Sequence, residues 1–315
     1  MNTNPMQNRQ NMSELSTMTT EDAWTTAIDA VNFPVYVKPL TFEHEEETYQ
    51  AEGNTNTGRN TKFYGIVVDR DRTGVLSTIT TVTGLYGTLP TAQVYHDLMT
   101  ELTQMGVDAH PTHLYLSGSG GQQQLNVAIK GQLSPDCMNT INMHVQLITS
   151  VDGSRRHTVR LLAVDEKTGS EVIGVCNEMF DLNIRHTKAI HESHVAFSAI
   201  ISTMITQWND EIMPFINLMG DAKMDRSMAL TIVDESMKAA KVADKVIDEA
   251  KTFVGEAVDS SDVSGIQVLT GLSDFMRSKY DDNDKNARGD DIRSRLNKKV
   301  MDRMEKLLIK LGMEA

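Results

Sequence analysis

The sequence predicts an α+β fold, and three observations carry that prediction. Strand-length apolar or alternating segments fill its first half and middle, the apolar period lengthens from two to between three and four residues near Thr187, and the pattern stays helical from there onward.

The elements follow in chain order. Residues 1–20 are polar, rich in Asn, Thr and Met and without periodicity, which predicts a disordered arm. A short helix is expected at EDAWTTAIDAV with Thr20 as its cap. VYVKP, TKFYGIVVD and GVLSTITTV read as strands, and RDRTG joins the last two into a hairpin. After GLYGTLP, Val94, Leu98, Leu102 and Met105 form one helical stripe that Gly106 ends. THLYLSG, QLNVAIKGQ, INMHVQLITSV, TVRLLAVD and SEVIGVCNEMF then read as an antiparallel β-meander turned at GSGG, VDGSRR and DEKTG. From Thr187 a long helix is expected, with Ile190, His194, Phe197, Ile201, Met204 and Trp208 recurring every three or four residues and Pro214 kinking or ending it. Further helices are read at DRSMALTIVDESMKAAKVADKVIDEAKTFVGEAV, IQVLTGLSDFMRSKY and RLNKKVMDRMEKLLIKLG. The expected organisation is a disordered arm at 1–20, an α+β core of hairpin, helix, meander and long helix at 21–219, and a helical region at 220–315.

At 315 residues the chain can bury a sizeable core, and 40% hydrophobic with 23% charged residues is ordinary for a globular protein. Its 19 methionines are many, which points to adaptable helix packing. No apolar run reaches the roughly eighteen residues of a membrane span, and the N-terminus lacks a signal-peptide core, so a protein that is neither membrane-spanning nor secreted is expected. Cys137 and Cys176 are too few for a disulfide framework or a four-thiolate zinc site and fit a reducing cytoplasm. A net charge of -13 argues against a protein that coats nucleic acid through bulk positive charge, so any nucleic-acid site must be local.

Residues 174–194, GVCNEMFDLNIRHTKAIHESH, raise the question of a metal or nucleophile site. The zinc-protease pattern needs two histidines four apart, whereas His191 and His194 are three apart, which leaves the second imidazole about 100° off the helical face. His157, His186, His191 and His194 have no carboxylate or cysteine pair beside them to complete a recognisable metal set. Cys176 near His186 sits in an apolar strand run, where a thiol is expected to pack. GSGG at 118–121 leads into a strand, so it reads as a hairpin turn and not as a phosphate loop. No cofactor and no catalytic residue is expected, and the protein is read as not an enzyme.

A local basic cluster is the better lead. Arg155, Arg156, His157 and Arg160 lie in one turn and strand, and Arg185, His186 and Lys188 stand at the start of the long helix. Cations at a helix N-terminus oppose the macrodipole, and a phosphate there would relieve them. The alternative is pairing with Asp152, Asp165, Glu166 or Asp181.

The segments TGVLSTITTVTGLYGTLPTAQVYHDLM, VDGSRRHTVRLLAVDEKTGSEVIGVCNEMFDLNIRHT and IQVLTGLSDFMRSKY resemble, in order, the phage and plasmid-like protein family grouped as domain of unknown function 932. The most telling pieces are Ser150 to Ser154, Val175-Cys176-Asn177 and Ile184-Arg185-His186-Thr187. The resemblance implies a phage, prophage or plasmid setting. The order of elements is also similar to that of Rad52-type single-strand annealing proteins, in topology only. The expectation is an oligomeric protein binding single-stranded DNA, with Arg155, Arg156, Arg160, Arg185 and Lys188 on phosphates and His186 stacking on a base. The second expectation is an assembly component that binds partner proteins through its Met-rich C-terminal helices, without nucleic acid.

Overall fold

The computed structural model describes residues 12–44, 47–54, 60–69, 72–73, 77–83, 87–88, 90–116, 121–130, 141–151, 157–165, 169–172, 179–181, 197–258, 262–280, 296–297, 299–306 and 309. The chain begins with β1 (Met12–Glu14) and α1 (Thr20–Val31), followed by β2 (Val35–Pro39), β3 (Thr41–His44), β4 (Glu47–Gln50), β5 (Glu52–Asn54), β6 (Asn60–Val68) and β7 (Ser77–Thr83). Then come α2 (Thr91–Gln104), β8 (Asp108–Leu116), β9 (Gln122–Lys130), β10 (Ile141–Ser150), β11 (Thr158–Asp165), β12 (Ser170–Glu171) and β13 (Met179–Asp181). The rest is α3 (Phe197–Gln207), a π-helical turn (Trp208–Ile212), α4 (Met213–Asp221), β14 (Lys223–Met224), α5 (Arg226–Ala239), α6 (Asp244–Ala257), β15 (Val263–Ser264) and α7 (Gly265–Tyr280). Residues 296–297, 299–306 and 309 are helical.

The protein is α+β, with antiparallel sheets and a helical C-terminal region. One sheet runs in the order β1-β8-β9-β10-β11-β12, with β13 also on β11, so from β8 to β12 spatial neighbours are chain neighbours and the meander is present. The expected hairpin is present as β6 and β7, with β2 and β5 also paired to β6. β3 and β4 form a separate hairpin.

Two local readings are corrected. The cap of α1 is Thr19, whose side chain accepts a 3.2 Å bond from the Asp22 amide, and Thr20 is the first helical residue. Part of the expected disordered arm is structured: Met12, Ser13 and Glu14 pair with Tyr115, Leu114 and His113, and Leu15 is fully buried. A polar stretch without periodicity carries no local signal of this; an open edge on β8 supplies the ladder partners.

The helix expected to meet Pro214 carries on through it. Pro214 lacks the amide that would bond back one turn, and the preceding turn widens instead, with the Met213 amide donating to the Trp208 carbonyl five residues earlier. Residues 182–196, which include the expected start of this helix, lie outside the described residues.

The chain divides into two compact units interleaved in sequence: Met1–Ala128, Gln146–Val159 and Met179–Ile200 form one, and Ile129–Val145, Arg160–Glu178 and Ile201–Ala315 the other. In the first, α1 buries Ala23, Trp24, Ala27 and Val31, α2 buries Val94, Tyr95, Leu98 and Leu102, and both helices pack on β8. In the second, α5 packs on α6, and α6 and α4 on α7, around Met237, Val254, Ile266 and Met276. Among the described residues no helix is long and apolar enough to cross a membrane.

Candidate nucleic-acid interface

Of the six residues in the expected DNA site, only Arg160 is among the described residues; Arg155, Arg156, Arg185, His186 and Lys188 lie outside them. Arg160 is held by Glu171, Nη2 to Oε1 2.9 Å, with the two side chains 23% and 21% exposed. Glu171 is thus one partner of Arg160, an acid outside the four that the sequence suggested. His157, read beside the cluster, is buried, and its Nδ1 faces the Ser150 amide at 3.4 Å. This contact ties the residue before β11 to the last residue of β10. His191, His194 and Cys176 lie outside the described residues, among which no group of three or more His, Cys, Asp or Glu side chains is placed to hold a metal.

The interior of the first unit holds a polar network that serves packing. The Thr149 hydroxyl donates to Gln123 Oε1 at 3.0 Å, and Thr91 approaches the same oxygen at 3.4 Å. Gln146 donates to Asn126 at 3.0 Å. Burial pushes the phenol of Tyr95 well above its ordinary range, with the Thr149 side chain opposing the shift, so the ring stays neutral.

The surface that offers binding chemistry is the sheet of β2, β6 and β7. Its register sets Val35, Val37 and Pro39 opposite Val68, Ile66 and Tyr64, and Tyr36 and Lys38 opposite Val67 and Gly65. Successive side chains alternate between faces. Ile66 and Val68 are buried at 0% and 1% exposure, so their face is the inner one. Tyr36 on the other face is 41% exposed, with Lys38 exposed beside it. A bulge at Ile66/Val67 brings Thr78 and Thr81, both exposed, onto that same outer face, opposite Val67 and Gly65. Phe63 and Val67 are half-buried there.

Three features mark this face. The Lys38 ammonium lies 5.4 Å from the centroid of the Tyr36 ring, close enough for a weak cation–π pair at an exposed site. Gly65 stands between Lys38 and Thr81 and is itself buried, with Thr78 Cγ2 3.7 Å from where its Cβ would lie. The chain carries 43 Asp and Glu residues, yet β2, β6 and β7 contain none. An open aromatic ring, an ammonium, two hydroxyls and no carboxylate can stack a planar base and accept a phosphate. In sequence, VYVKP reads only as a strand. Its alternation of Val with Tyr and Lys, beside two acid-free strands, was the available signal.

Much of the methionine of the C-terminal helices lies in the core, although Met213, Met228 and Met301 are half-buried. Met204, Met219, Met237, Met276 and Met304 are all fully buried.

No protein-family model, no curated protein and no solved structure matches this chain.

Proposed function

We propose that the protein is a non-enzymatic single-stranded DNA-binding protein of a phage or related mobile element, acting as a homo-oligomer in strand annealing or recombination. The outer face of the β2-β6-β7 sheet supports this reading most strongly: Tyr36 and Lys38 stand exposed on strands free of acidic residues, within a chain of net charge -13. A base stacks on Tyr36, displacing the ammonium that now lies near the ring, and Lys38 turns to the adjoining phosphate. Thr78 and Thr81 donate to phosphate or sugar oxygens, and the absence of carboxylates spares the backbone like-charge repulsion. Bases must be unpaired to stack this way, so single strands bind better than duplex.

The test is a fluorescence-anisotropy titration with single-stranded and duplex oligonucleotides at low and moderate salt, with the mass of the complex measured in parallel. Salt-sensitive, single-strand-preferring binding by an oligomer is expected. Lys38→Ala reduces the salt slope by about 0.7, one phosphate contact. Failure to bind at low salt overturns the proposal. If Tyr36→Ala and Lys38→Ala bind as wild type while removal of Arg155, Arg156 and Arg185 abolishes binding, the site is the basic cluster and not the sheet.

A further inference from the structure

The first unit carries a second surface of opposite character. α1, α2 and the start of β8 enclose an open cleft of about 790 Å³. Its apolar lining includes Trp24, Ile28, Met99, Leu102 and Val107. The Trp24 indole is fixed by a 3.1 Å bond from Nε1 to the Ala109 carbonyl, so this wall is preformed. The turn at one end is equally defined. Gly106 takes φ +69 after α2, its amide donating to Thr103 and that of Val107 to Leu102, a Schellman closure that sets Val107 against the helix end.

The charged groups lining the cleft are Glu21, Asp29 and Asp108, all exposed, and the lining contains no lysine or arginine. His96 is the one titratable group on the α2 side of the lining. Three carboxylates repel nucleic acid and anionic membrane surfaces, so the ligand of the sheet face does not fit here. From Thr20 to Asp29 the α1 wall extends about 14 Å, the length of two to three turns of helix.

We propose that this cleft docks a cationic amphipathic segment of a partner protein, a helix whose apolar row enters between α1 and α2 and whose lysines or arginines meet Glu21, Asp29 and Asp108. Charge complementarity selects the segment, and the apolar wall holds it.

The probe is a synthetic peptide of about eighteen residues with leucines at helical spacing and lysines elsewhere, titrated into the full chain with calorimetry and Trp24 fluorescence as readouts. Binding is expected to weaken about tenfold in the Glu21→Gln/Asp29→Asn/Asp108→Asn variant. Filling the cleft with Thr25→Trp, at an exposed position of α1, should weaken it similarly. The control Asp221→Asn/Glu256→Gln/Asp262→Asn removes three exposed charges elsewhere and should bind as wild type. Equal weakening in the control means attraction by bulk charge and overturns the proposal. So does an unchanged affinity in both cleft variants, or no binding to wild type. A Trp24 response to a single-stranded oligonucleotide in place of the peptide also overturns it, by assigning the cleft to DNA. Unaltered circular dichroism and melting of each variant separate loss of docking from loss of fold.

Discussion

The four-stranded sheet and the C-terminal helices use their distinctive side chains in opposite ways. The chain is poor in aromatics, at 5%, yet the sheet leaves Tyr36 41% exposed. It is rich in methionine, yet the helices seal Met219, Met237, Met276 and Met304 completely. Abundance therefore does not identify a binding surface. Methionine packs adaptably and these four fill the space between short helices, while the rarer tyrosine has the exposed position.

The largest expected effect tests the buried side of this contrast. Met276→Ala should lower unfolding free energy by about 2–5 kcal/mol in a denaturant titration, while the folded variant keeps wild-type DNA affinity. A variant of unchanged stability that loses binding instead would make the methionines a surface after all. Tyr36→Ala tests the exposed side: loss of one stacked base costs about 1–3 kcal/mol of single-strand affinity, read by anisotropy. Its melting temperature should barely move, because the ring is exposed, and a large drop would return Tyr36 to the core.

A smaller effect comes from the helices' own geometry. Lys241 sits at φ 58 just beyond α5, where its amide donates to the Lys238 carbonyl and that of Val242 to Met237. This closure favours glycine, and Lys241→Gly should stabilise the protein by about 1 kcal/mol, measured by denaturant unfolding. A loss would mean that the lysine side chain contributes more than its backbone conformation costs.

The smallest effect is on pH dependence. A hydrogen bond from Lys279 holds the Glu249 carboxyl below its ordinary range, and one from Lys238 chiefly does so for Asp234, with Lys251 assisting against desolvation. A depressed folded-state pKa stabilises the fold above the unfolded value, about 4.3 for Glu and 3.9 for Asp, and that contribution is lost as pH falls through the folded value. Lys279→Met should flatten the acid limb of the melting profile slightly, since these pairs face solvent. An identical acid limb would show that the Glu249 pair adds nothing.

The fold was far more legible than the site. The stripe of Val94, Leu98 and Leu102 lies buried along α2, as its spacing required. The runs THLYLSG, QLNVAIKGQ, INMHVQLITSV and TVRLLAVD overlap β8 to β11 because strand-length apolar runs ended by turn residues are a local signal, although β8 begins four residues before its run. Thr20 reads as the cap in place of Thr19 because neighbouring threonines offer the same hydroxyl, and only the backbone angle separates a cap from a first helical residue. The pairing of Arg160 with Glu171 was not legible because it depends on β12 folding back onto β11.

The order of residues along the chain was thus sufficient for the α+β class, the meander, the β6-β7 hairpin and most helices, since each depends on periodicity among near neighbours. Folding at long range settled the rest: β1 against β8, the interleaving of the two units, the wide turn before Pro214 and which face of β2 meets solvent. Tyr36 and Val37 are equally good strand residues. They differ because burial of Ile66 and Val68 turns one side of the sheet inward and leaves the other exposed.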